Sequence, residues 1–298
     1  MAIPQARLPP RSLSCKDFPM TLSETDLDAL SPGEWVTDDV IDFYFRYLKH
    51  RYFPNNKKYV YIPVNLANLL TERAVESTSR YIRDLASDAN ALDYETQCLR
   101  KPKNIKVAFL PIFGDGHWSL LVYRWEHRSQ LPEFLHFNSY LNSTRANHTQ
   151  CARTALINLL YVFRANDPEM TISKESYKLV VKSCPQQTNG NDCGVFVCMY
   201  AYVLSSRLAA KEGEGKMSAI HAMLKRFSSS SQATPASDRS GADRLLFSVK
   251  NANKDKIEDP EETAWKIKDA LQPDDMRDYL IKVIHRATVS TKGHSASL

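Results

Sequence analysis

Residues 186–198 read Gln-Gln-Thr-Asn-Gly-Asn-Asp-Cys-Gly-Val-Phe-Val-Cys. Polar turn formers run as far as Asp192, and there the pattern changes. From Cys193 the apolar residues Cys193, Phe196, Val197, Tyr200, Ala201 and Leu204 share one face at helical spacing. Asp192 is placed as the N-cap, and Cys193 opens a buried helix. A thiol there meets the positive end of the helix dipole, which favours thiolate. Gly194 follows directly, so nothing bulky shields the sulfur. Taken alone, such a cysteine is more often a core residue than a nucleophile, because buried free cysteines are common.

Three other polar residues bear on that choice. His117 opens the run His-Trp-Ser-Leu-Leu-Val-Tyr, which follows a glycine and has the pattern of a buried strand. A histidine at the mouth of a strand accepts a proton from a thiol held beside it; alone, it is a loop histidine. Asn138 ends a second strand, Phe134-Leu135-His136-Phe137. There it is able to orient the imidazole, as the third group does in Cys-His-Asn enzymes, or to serve as a turn asparagine. Gln187 stands six residues before Cys193. Its amide, with the Cys193 backbone N–H, is suited to an oxyanion.

Taken together, His-Trp after a turn, a polar residue ending the next strand, and Gln-x-Asn-x-x-Asp-Cys-Gly-x-x-x-Cys resemble the Ulp/sentrin-specific cysteine proteases. Within them, the run at 117–123 is most similar to the deneddylase branch. The resemblance covers roughly residues 10–205, with a weaker echo at 271–286, and Glu34 to Asp39 resembles the family's Trp-Leu-Asn-Asp segment. It implies an α+β fold of the papain-like or adenain-like kind, a central mixed sheet flanked by helices. It also implies a peptidase that needs no cofactor and no metal and cleaves after the C-terminal diglycine of a ubiquitin-like modifier. The neddylation modifier and its lysine conjugates come first as partners, with a SUMO-type modifier second.

By the same resemblance Trp118 and Trp35 cover the narrow channel for the diglycine tail, where two indoles admit only a chain without side chains. Packing in the core is the alternative for each. Asp38 is expected to pair with a basic residue near the modifier's C-terminus, or to cap a helix. The family usually has aspartate where this chain has Asn138. An asparagine orients histidine but offsets no charge on the imidazolium. Two other functions share these residues: a cysteine acyltransferase, which needs a basic coenzyme site, and a modifier-binding protein without activity.

Positioning these groups requires a sizeable core. The 298 residues are 43% apolar and 24% charged, ordinary for a globular protein. A net charge of +5 is mild, and no basic run is interleaved with aromatics, so nucleic acid is not an expected partner. No apolar run of membrane length is expected, and the proline-containing N-terminus lacks a secretory pattern. Six cysteines without paired spacing indicate neither zinc nor disulfides, hence a reducing compartment, cytosol or nucleus. A monomer is expected.

The predicted order is an extended arm over 1–20, a catalytic domain over 21–205, a polar insertion over 206–262, a C-terminal helix over 263–288 that packs back, and a tail over 289–298. Inside the catalytic domain, short helices are expected at 22–30 and after Thr37 or Asp38. An edge strand follows at 59–64, then one or two helices over 66–96. A hairpin runs through 106–123, a helix over 149–163 and a strand over 177–181.

Overall fold

The central hairpin follows from alternation. Val107 and Phe109 bury on one face of their strand, and Ala108, Leu110 and Ile112 on the other. In the computed structural model, which describes residues 12–72, 99, 101–125, 131–140, 148–170, 176–212 and 273–291, this strand is β4 (Val107–Gly114). It pairs antiparallel with β5 (His117–Arg124), Gly114 opposite His117. The two-residue loop has positive φ at both Asp115 (48°) and Gly116 (71°), the type I′ geometry that matches strand twist.

Around the hairpin a five-stranded mixed sheet forms in the order β3 (Tyr59–Tyr61), β4, β5, β6 (Glu133–Phe137), β7 (Lys178–Lys182). The outer pairs β3–β4 and β6–β7 are parallel. β3 is an edge strand, as Pro63 predicts, and it ends opposite Phe109. Pro111 therefore sits where β4 has no third strand to receive a missing N–H.

Helices cover both faces. α2 (Asp38–Tyr52), α5 (Cys193–Glu212) and α6 (Pro273–Ala287) share one core with Val107, Phe109, Trp118, Leu120 and Val122. α3 (Val64–Glu72) and α4 (Thr149–Asn166) share the other with Leu110, Leu121 and Phe134. Ahead of these, α1 (Glu24–Asp28) has Ser23 as N-cap in a capping box with Asp26. A second sheet joins β1 (Ser12–Cys15) to β2 (Thr21–Ser23) and to β8 (Thr288–Thr291). The architecture is α+β, a mixed sheet between helical layers.

Several expectations change. α5 is not one-sided: Cys193 to Ser205 is buried without a break. It lies between the sheet and α2 and α6, so every face meets protein, and a helix apolar all round is the result. Among the described residues it is also the one helix long and apolar enough to cross a membrane, contrary to the expectation that no such run exists. Its burial in the core accounts for that composition. The arm contains β1, and the C-terminal tail begins inside β8, because the two pair with each other. α5 continues to Glu212, past the expected start of the insertion at 206. The rest of that insertion, and most of the helix expected over 66–96, lie outside the described residues.

Candidate active site

One end of the five-stranded sheet gathers the polar residues. His117 starts β5 at the hairpin turn, and Asn138 follows directly on β6, the neighbouring strand. Their side chains meet: His117 Nε2 lies 2.9 Å from Asn138 Oδ1, and both residues are buried. A carbonyl oxygen accepts only, so Nε2 carries the proton and Nδ1 is the basic nitrogen. Asn138 is itself held in place. Its Oδ1 accepts the Tyr140 N–H (3.0 Å), and its backbone carbonyl accepts from Gln186 Nε2 (3.0 Å) and the Cys184 thiol (3.3 Å). It is thus a turn asparagine and the partner of the histidine at once.

Cys193 is the first residue of α5 and is buried. Burial pushes its thiol above the ordinary cysteine range. The N–H groups of Trp118, Gly194 and Cys193 itself point at the sulfur and act the other way, while the Asp192 carboxylate adds to the rise. The Trp118 N–H places the sulfur at the start of β5, one residue on from His117. Burial also pulls His117 below its ordinary value, against the bond from Asn138. Both shifts act against the charged forms, so burial of the sulfur opposes the thiolate that the helix dipole favours. Gly194 has a different reason from the one read in the sequence. A Cβ there would lie 3.1 Å from Val36 Cβ and 3.5 Å from Trp118 Cδ1, so glycine lets α5 approach its neighbours.

Gln187 is pre-set by a net of bonds. Its Oε1 accepts from Ser139 Oγ (2.7 Å), its Nε2 donates to the Asn189 carbonyl (2.7 Å), and its backbone N–H donates to the Ser139 carbonyl (2.9 Å). One Nε2 hydrogen remains beyond the Asn189 bond.

The two tryptophans differ sharply. Trp118 is 5% exposed, its ring against Phe113 at 4.7 Å between centroids. Trp35 is 49% exposed, and a Cβ on Gly116 would lie 3.6 Å from its ring. Trp35 therefore stands over the turn that carries His117. Asp38 is exposed in the first turn of α2, beside exposed Glu34 and Asp39. The cap is Thr37, which accepts the Val40 N–H and donates to Asp26. That leaves the Asp38 carboxylate on the surface.

Asp192 occupies the cap position, where its carbonyl accepts the Phe196 N–H (2.9 Å). Its carboxylate, however, is engaged by Arg277 Nη2 and Asn189 Nδ2, each at 2.7 Å. Sequence reasoning passed over Arg277, although it falls on the apolar stripe of α6 with Leu280 and Ile284. A cation on a core-facing stripe is a signal of a buried pairing. It also passed over His148, whose ring meets that of His117 edge-on at 4.7 Å. No pattern marked it, since it precedes α4 and comes close only through the fold.

A thiol at a helix start, a neutral imidazole with its far nitrogen held by an amide, and a pre-set glutamine suit nucleophilic attack on a carbonyl. Known proteins agree with that chemistry. The model of the Ulp1 protease family, C-terminal catalytic domain, matches residues 34–229. NEDD8-specific protease 1 of Arabidopsis thaliana is 29% identical over 185 residues, which are 62% of this chain and 72% of the relative. Ubiquitin-like-specific protease 1 of Saccharomyces cerevisiae is 26% identical over 176 residues, 58% of this chain but only 24% of that larger relative. The crystal structure of a de-sumoylating protease shares the fold, with a TM-score of 0.51 at 17% identity over 66% of this chain and 73% of that one. The matched span runs from the Trp35 segment through all of α5, and by it this chain belongs to the Ulp1 protease family of cysteine peptidases.

Proposed function

We propose that the protein is an isopeptidase that cleaves after the C-terminal diglycine of a ubiquitin-like modifier, with the neddylation modifier as its substrate. The observation that carries the reading is Cys193 at the start of α5, its thiol near the backbone N–H of Trp118, the residue after a His117 whose Nε2 is held by Asn138. In this reading His117 Nδ1 takes the proton of the Cys193 thiol as sulfur attacks the scissile carbonyl. Gln187 Nε2 and the Cys193 N–H receive the oxyanion. His117 then protonates the leaving amine, and water releases the acyl group from sulfur. Trp35, exposed above Gly116, borders the path of the extended tail, with buried Trp118 beneath the thiol. Asp38, with Glu34 and Asp39, offers negative charge to a basic residue upstream of the two glycines.

Support for the neddylation modifier comes from the His-Trp-Ser-Leu-Leu-Val-Tyr run and from the likeness to NEDD8-specific protease 1 of Arabidopsis thaliana. A reducing compartment, cytosol or nucleus, fits the five described cysteines, all free. The acyltransferase alternative finds weaker support. A basic cleft of about 780 Å³ is lined by Arg51, Lys57, Lys58 and Lys103, but it borders the beginning of β4. The candidate site lies at the far end of that strand, roughly 25 Å away at about 3.3 Å per residue.

The test uses neddylation-type and SUMO-type modifiers, each with a fluorogenic leaving group and each with a C-terminal electrophile. The expected result is faster cleavage of the neddylation-type conjugate and a covalent adduct at Cys193. Preference for the SUMO-type conjugate overturns the choice of modifier. Absence of any adduct at Cys193 overturns the peptidase reading.

A further inference from the structure

Arg277 lies in α6, outside the span matched by the family model, yet its guanidinium ends beside the candidate site. It is 2% exposed. Nη1 donates to the carbonyls of Ala29 (3.1 Å) and Ser31 (3.0 Å). Nη2 donates to the carbonyl of Glu34 and to Asp192 Oδ1, both at 2.7 Å. Three of these acceptors belong to the loop that leads into Trp35. The fourth is the residue directly before Cys193. The same loop receives a fourth bond, from Asn191 Nδ2 to the Gly33 carbonyl.

We infer that Arg277 is a positioning residue: its fork ties the loop bearing Trp35 to the start of α5, and so sets the gap between the exposed indole and the Cys193 thiol. The inference rests on the reading of Cys193 as nucleophile and Trp35 as channel wall. Planar geometry is what the site demands. A guanidinium presents its donors in one plane and reaches three carbonyls and a carboxylate together, whereas an ammonium is a point donor on a flexible stem. The charge is balanced by Asp192, so the pair is buried without a net charge. Removing only the arginine takes a donor from three carbonyls and leaves a buried carboxylate without its cation. Removing both charges avoids the unpaired carboxylate and leaves the loop without its tie.

The test compares Arg277→Lys with the double variant Arg277→Met/Asp192→Asn, in the full chain. The double variant removes the charge pair as a unit, which buried pairs often tolerate. Three quantities are read: melting temperature, the rate at which iodoacetamide alkylates Cys193 (followed on its peptide by mass), and kcat and KM on a modifier–diglycine fluorogenic conjugate. The double variant is expected to stay folded and to be alkylated within about threefold of the parent. Its KM rises by about tenfold, the loss of roughly one well-made hydrogen bond's worth of positioning. Arg277→Lys recovers only part of that rise. A folded double variant with the parent's KM overturns the inference, and so does an equal loss in alkylation and cleavage.

Hydrogen exchange over residues 29–37 gives a readout that needs no activity. If the parent cleaves no conjugate, the proposed function fails, and exchange still decides the role of Arg277. Faster exchange of that loop in Arg277→Lys supports the tie; unchanged exchange overturns it. Should the double variant fail to fold, Arg277→Lys alone carries both readouts.

Discussion

The two ends of α2 meet the same problem with the same device. At its C-terminal end Lys49 is buried, and its Nζ donates to the carbonyls of Asn56 (2.5 Å) and Tyr59 (2.7 Å), which pins the loop that enters β3. At its N-terminal end, roughly 20 Å away, Arg277 gathers the carbonyls of Ala29, Ser31 and Glu34 in the loop that enters α2. Both cations are buried and satisfy backbone oxygens of a loop whose side chains are mostly exposed. The difference lies in what each loop carries. The loop at Lys49 delivers an edge strand. The loop at Arg277 delivers Trp35, and the same guanidinium also grips Asp192 next to Cys193. A buried cation is structural by default; it bears on function only where the backbone it holds is attached to the site.

The largest effect that sharpens this contrast is at the site itself. Cys193→Ser is expected to lower cleavage of the fluorogenic conjugate by about 10⁴-fold or more, while titration with the uncleaved modifier gives an unchanged Kd. Cys184→Ser and Cys198→Ser retain activity, because Cys184 bonds the Asn138 carbonyl from outside the thiol pocket and Cys198 lies in the core. A dead, folded Cys198→Ser beside a normal Cys193→Ser would reverse the assignment.

Next comes Asn138. Asn138→Ala removes the acceptor of His117 Nε2–H, and kcat/KM should fall by about a hundredfold, the lower end of what a positioned general base contributes. Asn138→Asp adds a negative charge at the same place. That raises the imidazole and favours the thiolate–imidazolium pair, so the alkylation rate of Cys193 rises at lower pH than in the parent. The pH profiles of the three forms decide between them. An Asn138→Ala profile identical to the parent would leave the residue with its turn bond to Tyr140 only.

A smaller effect breaks or sustains the contrast directly. Lys49→Met removes the ammonium that two carbonyls share and should lower stability by about 1–3 kcal/mol, read from denaturant unfolding. Per folded molecule, kcat/KM is expected to match the parent. A rise in KM like that expected for the Arg277 double variant would erase the distinction between the two ends.

The smallest effect concerns acid. Burial, with neighbouring histidines adding to it, pulls His136 to about 3; burial followed by His117 brings His148 to about 4. Both are pulled down from about 6.5, their value in the unfolded chain. A group lowered in the fold gives its full stability above the unfolded value. That stability is lost as pH falls from about 6.5 through the folded values. The melting temperature should therefore decline between pH 6.5 and 4, and His148→Gln should flatten the decline.

The sequence by itself determined the local parts of this protein. The hairpin at Asp115-Gly116, the helix opening at Cys193 and the edge position of β3 all follow from residues close together in the chain. So did the Gln187 to Cys198 part of the family resemblance, because its members keep fixed spacing within one turn and the helix start after it. Tertiary structure alone decided which polar groups meet. His148 reaches His117, and Arg277 reaches Asp192 and the Trp35 loop across 85 and more residues. It also set burial of Cys193 and His117, which acts against their charged forms, against a helix dipole that the sequence suggests. Local chemistry is written in neighbouring residues, whereas desolvation and the pairing of buried charges depend on what the whole fold brings against them.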